Sequence, residues 1–199
     1  MSQSARPGIY FFAIVPPEPV YGNIREIQEY VEKEYRTHEA MKRPVHTTLI
    51  APFEAPVPVE RELIDFTNNF AVKEKPFEVC IDGFGEFHQT TIYVKPIESP
   101  EIMGMQKRLS KEFAKVYSRG KSRGPSYGFH PHITIAFRDL SRPMFDKAWH
   151  EFESKIFRRR FILNHICLMK YDHGWKTIQK GIFAGNPPGA EHSELSLFG

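Results

Sequence analysis

Cysteine is scarce in this sequence and long hydrophobic runs are missing, and each shortage excludes a class of protein. Cys80 and Cys167 are its two cysteines. Both stand in apolar, strand-like runs, so we expect free buried thiols rather than a disulfide or a metal pair. No run approaches the roughly 18 apolar residues that a membrane helix needs, and residues 1–8 hold no apolar stretch typical of a signal peptide. We therefore predict a cytoplasmic protein without a membrane partner.

Excess charge is also small. The formal net charge is +3 and the isoelectric point is near 8.8, which suits an anionic ligand but does not by itself indicate nucleic-acid binding. At 199 residues, 41% of them hydrophobic, the chain can bury one substantial core. We predict a monomer in which residues 1–185 form a single bilobal domain and residues 186–199 a flexible tail.

Hydrophobic periodicity divides the chain into two similar halves. Period-two and helical patterns predict strand, helix, strand, helix and strand in the first half, at residues 9–15, 23–35, 46–53, 59–70 and 77–84. The second half repeats the order and adds one strand, at residues 90–94, 102–116, 132–137, 144–152, 160–169 and 176–183. This predicts an α+β fold with lobes at roughly 9–85 and 90–183, whose terminal segments are free to exchange.

Two short motifs lie in corresponding strands of the two halves, and each places a histidine two residues before a threonine. They are His46-Thr47-Thr48-Leu49 and His132-Ile133-Thr134-Ile135. Because strand side chains alternate, His132 and Thr134 are expected on one face, with Ile133, Ile135 and Phe137 on the other. Likewise, His46 and Thr48 should oppose Thr47, Leu49 and Ala51. Two imidazoles and two hydroxyls from two lobes predict a cleft for a phosphate group.

Two competing interpretations of the histidines remain open. A third match, His88-Gln89-Thr90, falls at a predicted turn and lacks the apolar run that follows the other two. The spacing of His130 and His132 is compatible with a metal site, although no aspartate, glutamate or cysteine cluster stands beside it. We therefore predict no metal site.

The paired motifs resemble those of the 2H phosphoesterase superfamily, especially its 2′-5′ RNA ligase-like branch of cyclic phosphodiesterases. The lead-in Phe129-His130-Pro131, the opening strand from Ile9 and the strand end at Asp82-Gly83-Phe84-Gly85 are similar to that family's pattern. The resemblance implies a bilobal, pseudo-two-fold α+β fold with two mainly antiparallel sheets lining a central cleft and helices outside. It also implies chemistry without a cofactor. The family often has a basic residue where this chain has Phe137, with Arg138 one position later.

This resemblance predicts hydrolysis of 2′,3′-cyclic phosphates at RNA ends or nucleotides, with reversible 2′-5′ ligation as the related reaction. His46 and His132 would be general acid and base, in an order that the sequence leaves open, and Thr48 and Thr134 would bind the phosphate. We predict the substrate rim at Tyr10, Arg123, Tyr127, Phe129 and His130. Residues 158–160 are expected to be an exposed strand start, with RNA contact as the alternative. Other phosphoester substrates, and a non-catalytic nucleotide- or RNA-binding module, are the rival functions.

Overall fold

The computed structural model describes residues 7–117 and 128–186, which contain eight β-strands and four α-helices. The strands are β1 (Gly8–Ile14), β2 (Thr47–Ala55), β3 (Phe77–Phe87), β4 (Thr91–Pro96), β5 (Ile133–Phe137), β6 (Arg158–Leu163), β7 (His165–Tyr171) and β8 (Trp175–Ile182). The α-helices are α1 (Val20–Tyr35), α2 (Glu60–Ala71), α3 (Pro100–Val116) and α4 (Arg142–Phe152), with a 3-10 turn at Val57–Val59 before α2.

The strands form two antiparallel sheets of four. The first sheet has the order β2-β1-β7-β8 and the second has the order β5-β4-β3-β6. The two orders correspond strand by strand, and β2 and β5, which follow the two histidines, are both edge strands. Each sheet also draws strands from both halves of the chain. The predicted α+β class, with a pseudo-two-fold pair of antiparallel sheets, is therefore confirmed.

The main core lies between the sheets and the helices that cover one face of each. On β1, Tyr10, Phe12 and Ile14 are buried in this core, whereas Phe11 and Ala13 on the other face belong to a separate apolar cluster. Helix α2 packs closely on β8, where a Cβ on Gly181 would lie 2.6 Å from the Thr67 carbonyl oxygen. Because helices cover one face of each sheet, the opposite faces remain for a cleft.

Several predicted boundaries need correction. Helix α1 begins at Val20 rather than after Asn23, and α4 begins at Arg142 rather than at Met144. The start of α3 is as predicted, with the hydroxyl of Ser99 accepting from the backbone N–H of Ile102 at 3.4 Å. The strand predicted over residues 160–169 is two strands, β6 and β7, in different sheets. The apolar run is continuous across Asn164, so periodicity alone could not show that the chain crosses between sheets there.

Both cysteines are free, although Cys80 is half-buried and only Cys167 is fully buried. The hairpin predicted at residues 172–174 joins β7 to β8. In the described ranges, no helix combines the length and the apolar character needed to cross a membrane.

Candidate active site

The first histidine, His46, stands immediately before β2. Its ring Nδ1 lies 2.7 Å from the carbonyl oxygen of Pro44, so Nδ1 carries the proton and donates it to that oxygen. The ring of Phe11 lies 5.1 Å away, between centroids. Burial is the main cause that lowers the pKa of His46 from 6.5 to about 4, and the nearby charges of Arg43 and His132 contribute. His46 is therefore neutral at pH 7, with Nε2 as its free basic nitrogen.

His132 is held in the same way, immediately before β5. Its Nδ1 lies 2.8 Å from the carbonyl oxygen of His130, and the rings of Phe87 and Tyr93 lie 5.1 and 5.6 Å from its own. Burial also lowers its pKa, although less strongly than that of His46, and the neighbouring His130 adds to this effect. The charge of His132 also contributes to the lowered pKa of His46, so the two rings are close enough to interact electrostatically.

Each motif strand carries a β-bulge directly after its threonine. Thr48 lies opposite Ala13 and Ile50 opposite Phe12, which leaves Leu49 as the extra residue. In the other sheet, Thr134 lies opposite Tyr93 and Ala136 opposite Ile92, which leaves Ile135 extra. A bulge places two consecutive side chains on one face and shifts the alternation beyond it. The same irregularity thus follows both motifs.

The bulges correct two predicted orientations. Phe137 pairs with Thr91 on the face of Thr134, rather than packing with Ile133 and Ile135. Arg138 follows with φ of 62°, and its guanidinium lies 4.8 Å from the Phe137 ring centroid. In β2, Ile50 rather than Ala51 is buried beside Leu49.

A glutamine from a helix supports each bulge. Gln28 of α1 donates from Nε2 to the carbonyl oxygen of Thr134 at 2.7 Å, and Gln106 of α3 donates to that of Leu49 at 3.1 Å. A bulge removes carbonyls from the ladder, and buried carbonyls need a partner. The helix from each half of the chain therefore supports the motif strand of the other half.

Both threonines lie on the histidine side of their strands and are half-buried. Within residues 7–117 and 128–186, neither the Thr48 nor the Thr134 hydroxyl has a hydrogen-bond partner, and neither does Nε2 of His46 or His132. These four polar groups are therefore available to a ligand.

Arg43 is a basic residue near His46 to which the sequence patterns assign no role. Its side chain is half-buried and forms no ion pair with any described carboxylate. Burial lowers its pKa, and the guanidinium of Arg138 lowers it further. Arg25 of α1 holds this segment by donating to the Arg43 carbonyl oxygen at 2.8 Å. An unpaired, partly desolvated guanidinium beside another arginine favours an anionic ligand.

Asp139 joins the loops of the two motifs. Its carboxylate, just beyond β5, accepts from the Thr37 hydroxyl and from the backbone N–H groups of His38 and Glu39, at 2.6 and 3.2 Å for the last two. Residues 37–39 begin the segment that leads through Arg43 to His46. Asp139, which follows Arg138, therefore links the end of β5 to the start of the segment that leads to Arg43 and His46.

The predicted substrate rim needs one correction. Tyr10 is fully buried and donates its hydroxyl to Glu60 at 2.9 Å, so its ring offers no face to a substrate. Phe129 is half-buried and packs against the main core. His130 is exposed, with Nδ1 2.8 Å from the Glu98 carboxylate. Arg123 and Tyr127 lie outside the described residues.

The third His-x-Thr match forms a turn. His88 is exposed with φ of 49°, and the Thr90 hydroxyl donates to the Phe87 carbonyl oxygen at 3.2 Å. The aromatic residues that contact His132 are instead Phe87 and Tyr93, which lie outside both His-x-Thr motifs. Their alternation within β3 and β4 was the available signal. In the described parts of the chain, no three histidine, cysteine or acidic side chains form a group that could hold a metal ion.

Comparison with known proteins finds similar sequences and similar folds. The family profile described as the 2′-5′ RNA ligase superfamily matches residues 16–175. An inferred phosphoesterase of Bacillus cytotoxicus is 32% identical over 108 residues, covering 53% of this chain and 58% of the relative. One of Bacillus pumilus is 29% identical over 115 residues, covering 57% and 63%. The aligned part thus spans about three fifths of the length of these relatives.

Solved structures share the fold. TT0787 of Thermus thermophilus superposes with a TM-score of 0.68 at 18% identity, covering 89% of this chain and 99% of that one. Escherichia coli LigT in complex with 3′-AMP gives 0.61 at 18% identity, covering 90% and 99%. LigT in complex with phosphate gives 0.58 at 19% identity, covering 91% and 100%. At these identities the likeness concerns the fold alone.

Proposed function

The chain belongs to the 2′-5′ RNA ligase superfamily of 2H phosphoesterases, and on that premise we propose that it is a metal-independent phosphodiesterase that opens 2′,3′-cyclic phosphates of RNA ends or nucleotides. The observation that carries this proposal is the matched pair of His-x-Thr motifs. Both histidines bond to the backbone through Nδ1, which leaves both Nε2 atoms for proton transfer. The 3′-AMP in the LigT complex has the chemistry of a product of such a reaction.

We assign the roles of the two histidines from their burial. His46 has the more strongly lowered pKa, so it is the neutral general base. His132 is protonated more readily and is the general acid. A bound cyclic phosphate, a diester with one negative charge, then stabilises the imidazolium of His132.

The reaction is an in-line displacement at phosphorus. Nε2 of His46 takes a proton from water as the water oxygen bonds to phosphorus. The bond from phosphorus to one ribose oxygen breaks, and Nε2–H of His132 gives its proton to that oxygen. The product is a nucleoside 2′- or 3′-phosphate, and proton exchange with solvent restores both histidines.

The remaining groups stabilise the charge that develops on phosphate. The Thr48 and Thr134 hydroxyls donate to the non-bridging oxygens, which is the role that preorganised donors play in acyl and phosphoryl transfer. Arg43 supplies a positive charge on the His46 side of the cleft. Its half-buried guanidinium interacts with phosphate more strongly than a fully solvated one would. Arg43→Met should therefore raise KM for cyclic phosphates. An unchanged KM would show that Arg43 does not bind the phosphate.

The decisive measurement is turnover of adenosine and uridine 2′,3′-cyclic phosphates in the presence of a chelator. Each histidine contributes about 10²- to 10⁴-fold, so His46→Ala and His132→Ala should each lower kcat by that factor. Unchanged activity in both variants would exclude the mechanism. Salt-sensitive RNA binding without turnover of any cyclic phosphate would instead favour a binding module.

A further inference from the structure

A groove of about 340 Å³ opens beside His132 on the cleft face of the second sheet. Tyr93, whose ring lies 5.6 Å from that of His132, forms one wall. The other lining residues are Asp82, Lys95, Pro96, Ile97, Glu98, His130 and Pro131. The groove therefore borders the segment that holds His132, and Tyr93, Pro96, Ile97 and Pro131 give it apolar and aromatic positions for a ribose and base among its charged ones.

Strand register aligns charged residues along this groove. Ile133 pairs with Val94, so the residues one step on, His132 and Lys95, are neighbours on the cleft face. Asp82 pairs with Arg158 across β3 and β6. Adjacent strands are about 4.8 Å apart, so the row from His132 through Lys95 and Asp82 to Arg158 extends about 14 Å. It leads directly from the proposed reaction centre to the far edge of the sheet.

Two positively charged side chains in this row, those of Lys95 and Arg158, can still bind an anionic ligand. Glu98 contacts His130, and Asp82 accepts from Nε of Arg158 at 3.1 Å. Lys95 is exposed and forms no ion pair with a described residue. Arg158 is 74% exposed, and its pairing through Nε leaves its two terminal nitrogens free to donate. Asp82 thus orients Arg158 without occupying its outer face.

We propose that this groove binds the nucleotide that carries the cyclic phosphate, and that Lys95 and Arg158 contact its 5′ phosphate. The substrate class is then an RNA 3′ end or another 5′-phosphorylated nucleotide, rather than a free nucleoside 2′,3′-cyclic phosphate. This inference rests on the proposed function and narrows it. Tyr93 stacks on the base, and the two cations bind the next phosphate along the chain.

The test compares three substrates: adenosine 2′,3′-cyclic phosphate, the same compound with a 5′ phosphate, and the dinucleotide ending in a cyclic phosphate. We expect kcat/KM to be about tenfold higher for the second and third, as one charge-assisted contact implies. Lys95→Ala and Arg158→Ala should each lower that ratio, and added salt should lower it in the wild type. Arg158→Lys, which keeps the charge, should restore part of it.

A matched control is Lys111→Ala, which removes the same charge from an exposed position on α3. It should keep the wild-type ratio. A wild-type ratio near one, or a ratio unchanged in Lys95→Ala and Arg158→Ala, overturns the groove proposal but leaves the phosphodiesterase proposal intact. If no substrate turns over, calorimetry decides the groove separately. Adenosine 3′,5′-bisphosphate should bind more tightly than adenosine 3′-phosphate, with the difference reduced by Lys95→Ala, and equal affinities would overturn it.

Discussion

His46 and His132 hold their imidazole rings by equivalent hydrogen bonds, each Nδ1 donating to the carbonyl oxygen two residues earlier, at 2.7 and 2.8 Å. The bond fixes the tautomer, so both rings present Nε2 to the cleft. Since the local geometry is the same, it does not distinguish base from acid. The difference lies in burial, which lowers the pKa of His46 more strongly.

The first prediction concerns the pH dependence of kcat/KM. His46 cannot act as a base below its pKa of about 4, where it is protonated. His132 cannot act as an acid above its own pKa, which lies below the ordinary 6.5, because it is then neutral. The profile should therefore be a bell with its maximum on the acid side of neutral. His46→Ala should lose the low-pH limb and His132→Ala the high-pH limb. The opposite pattern would exchange the two roles.

Phosphate binding should take up protons. The free cleft holds two histidines whose pKa values are lowered, and an anion between them favours the protonated form. Calorimetry of inorganic phosphate binding at pH 6.5, in buffers of different ionisation enthalpy, should show net proton uptake by the protein. His132→Ala should remove most of it, whereas His150→Ala, at an exposed surface position, should not. Proton release would contradict the assignment.

The two glutamines should act as positioning residues. Gln28→Leu leaves the buried Thr134 carbonyl without a donor, which should cost about 1–3 kcal/mol of stability. Because the bulge sets the direction of Thr134 and its strand, kcat should fall more than KM rises, and the pH profile should keep its shape. Gln106→Leu should behave alike.

The control for the glutamines is Gln179→Leu, which removes a hydrogen bond of 2.8 Å to Asn68, between β8 and α2. It should affect stability without changing kcat. An equal loss of kcat in all three variants would mean that Gln28 and Gln106 contribute only general stability.

Tyr10 should matter for folding alone. Its hydroxyl donates to Glu60, which also pairs with Lys170, within the part of the structure that α2 covers. Tyr10→Phe should destabilise the protein by about 1 kcal/mol in urea denaturation and leave kcat and KM for cyclic phosphates unchanged. A raised KM for cyclic phosphates would instead indicate that Tyr10 contacts the substrate.

Acid should destabilise the fold through His46. His46 has a pKa of about 4 in the folded state and 6.5 in the unfolded state, so above pH 6.5 it is neutral in both states and the free energy of unfolding is at its full value. Part of this free energy is lost as the pH falls from 6.5 towards 4, and the loss is about 2 kcal/mol at pH 5. The free energy of unfolding in urea should show this loss. His46→Asn should show a smaller loss between pH 7 and 5 than the wild type, and exposed His150→Asn should match the wild type.

Local patterns were sufficient to predict the motifs and their strands. A His-x-Thr spacing in an apolar run places both side chains on one face because strand alternation is a property of the chain itself. The duplicated order of strands and helices likewise predicted two lobes that bring both motifs into one groove, whereas the two antiparallel sheets were implied by the family resemblance. Local sequence signals also predicted the start of α3 at Ser99 and the turn of the final hairpin.

The tertiary structure determined the features that depend on contacts between strands and helices. Both faces of β1 are apolar, so only the covering helices show that Tyr10 is buried and that Phe11 faces His46. The bulges that turn Phe137 towards Thr134 arise from pairing with β4, which the motif strand does not encode alone. Lys95 and Arg158 come together because three strands align in register, although 63 residues of sequence separate them. Alternation within a strand is local, whereas register, burial and electrostatic proximity are created only when the elements pack.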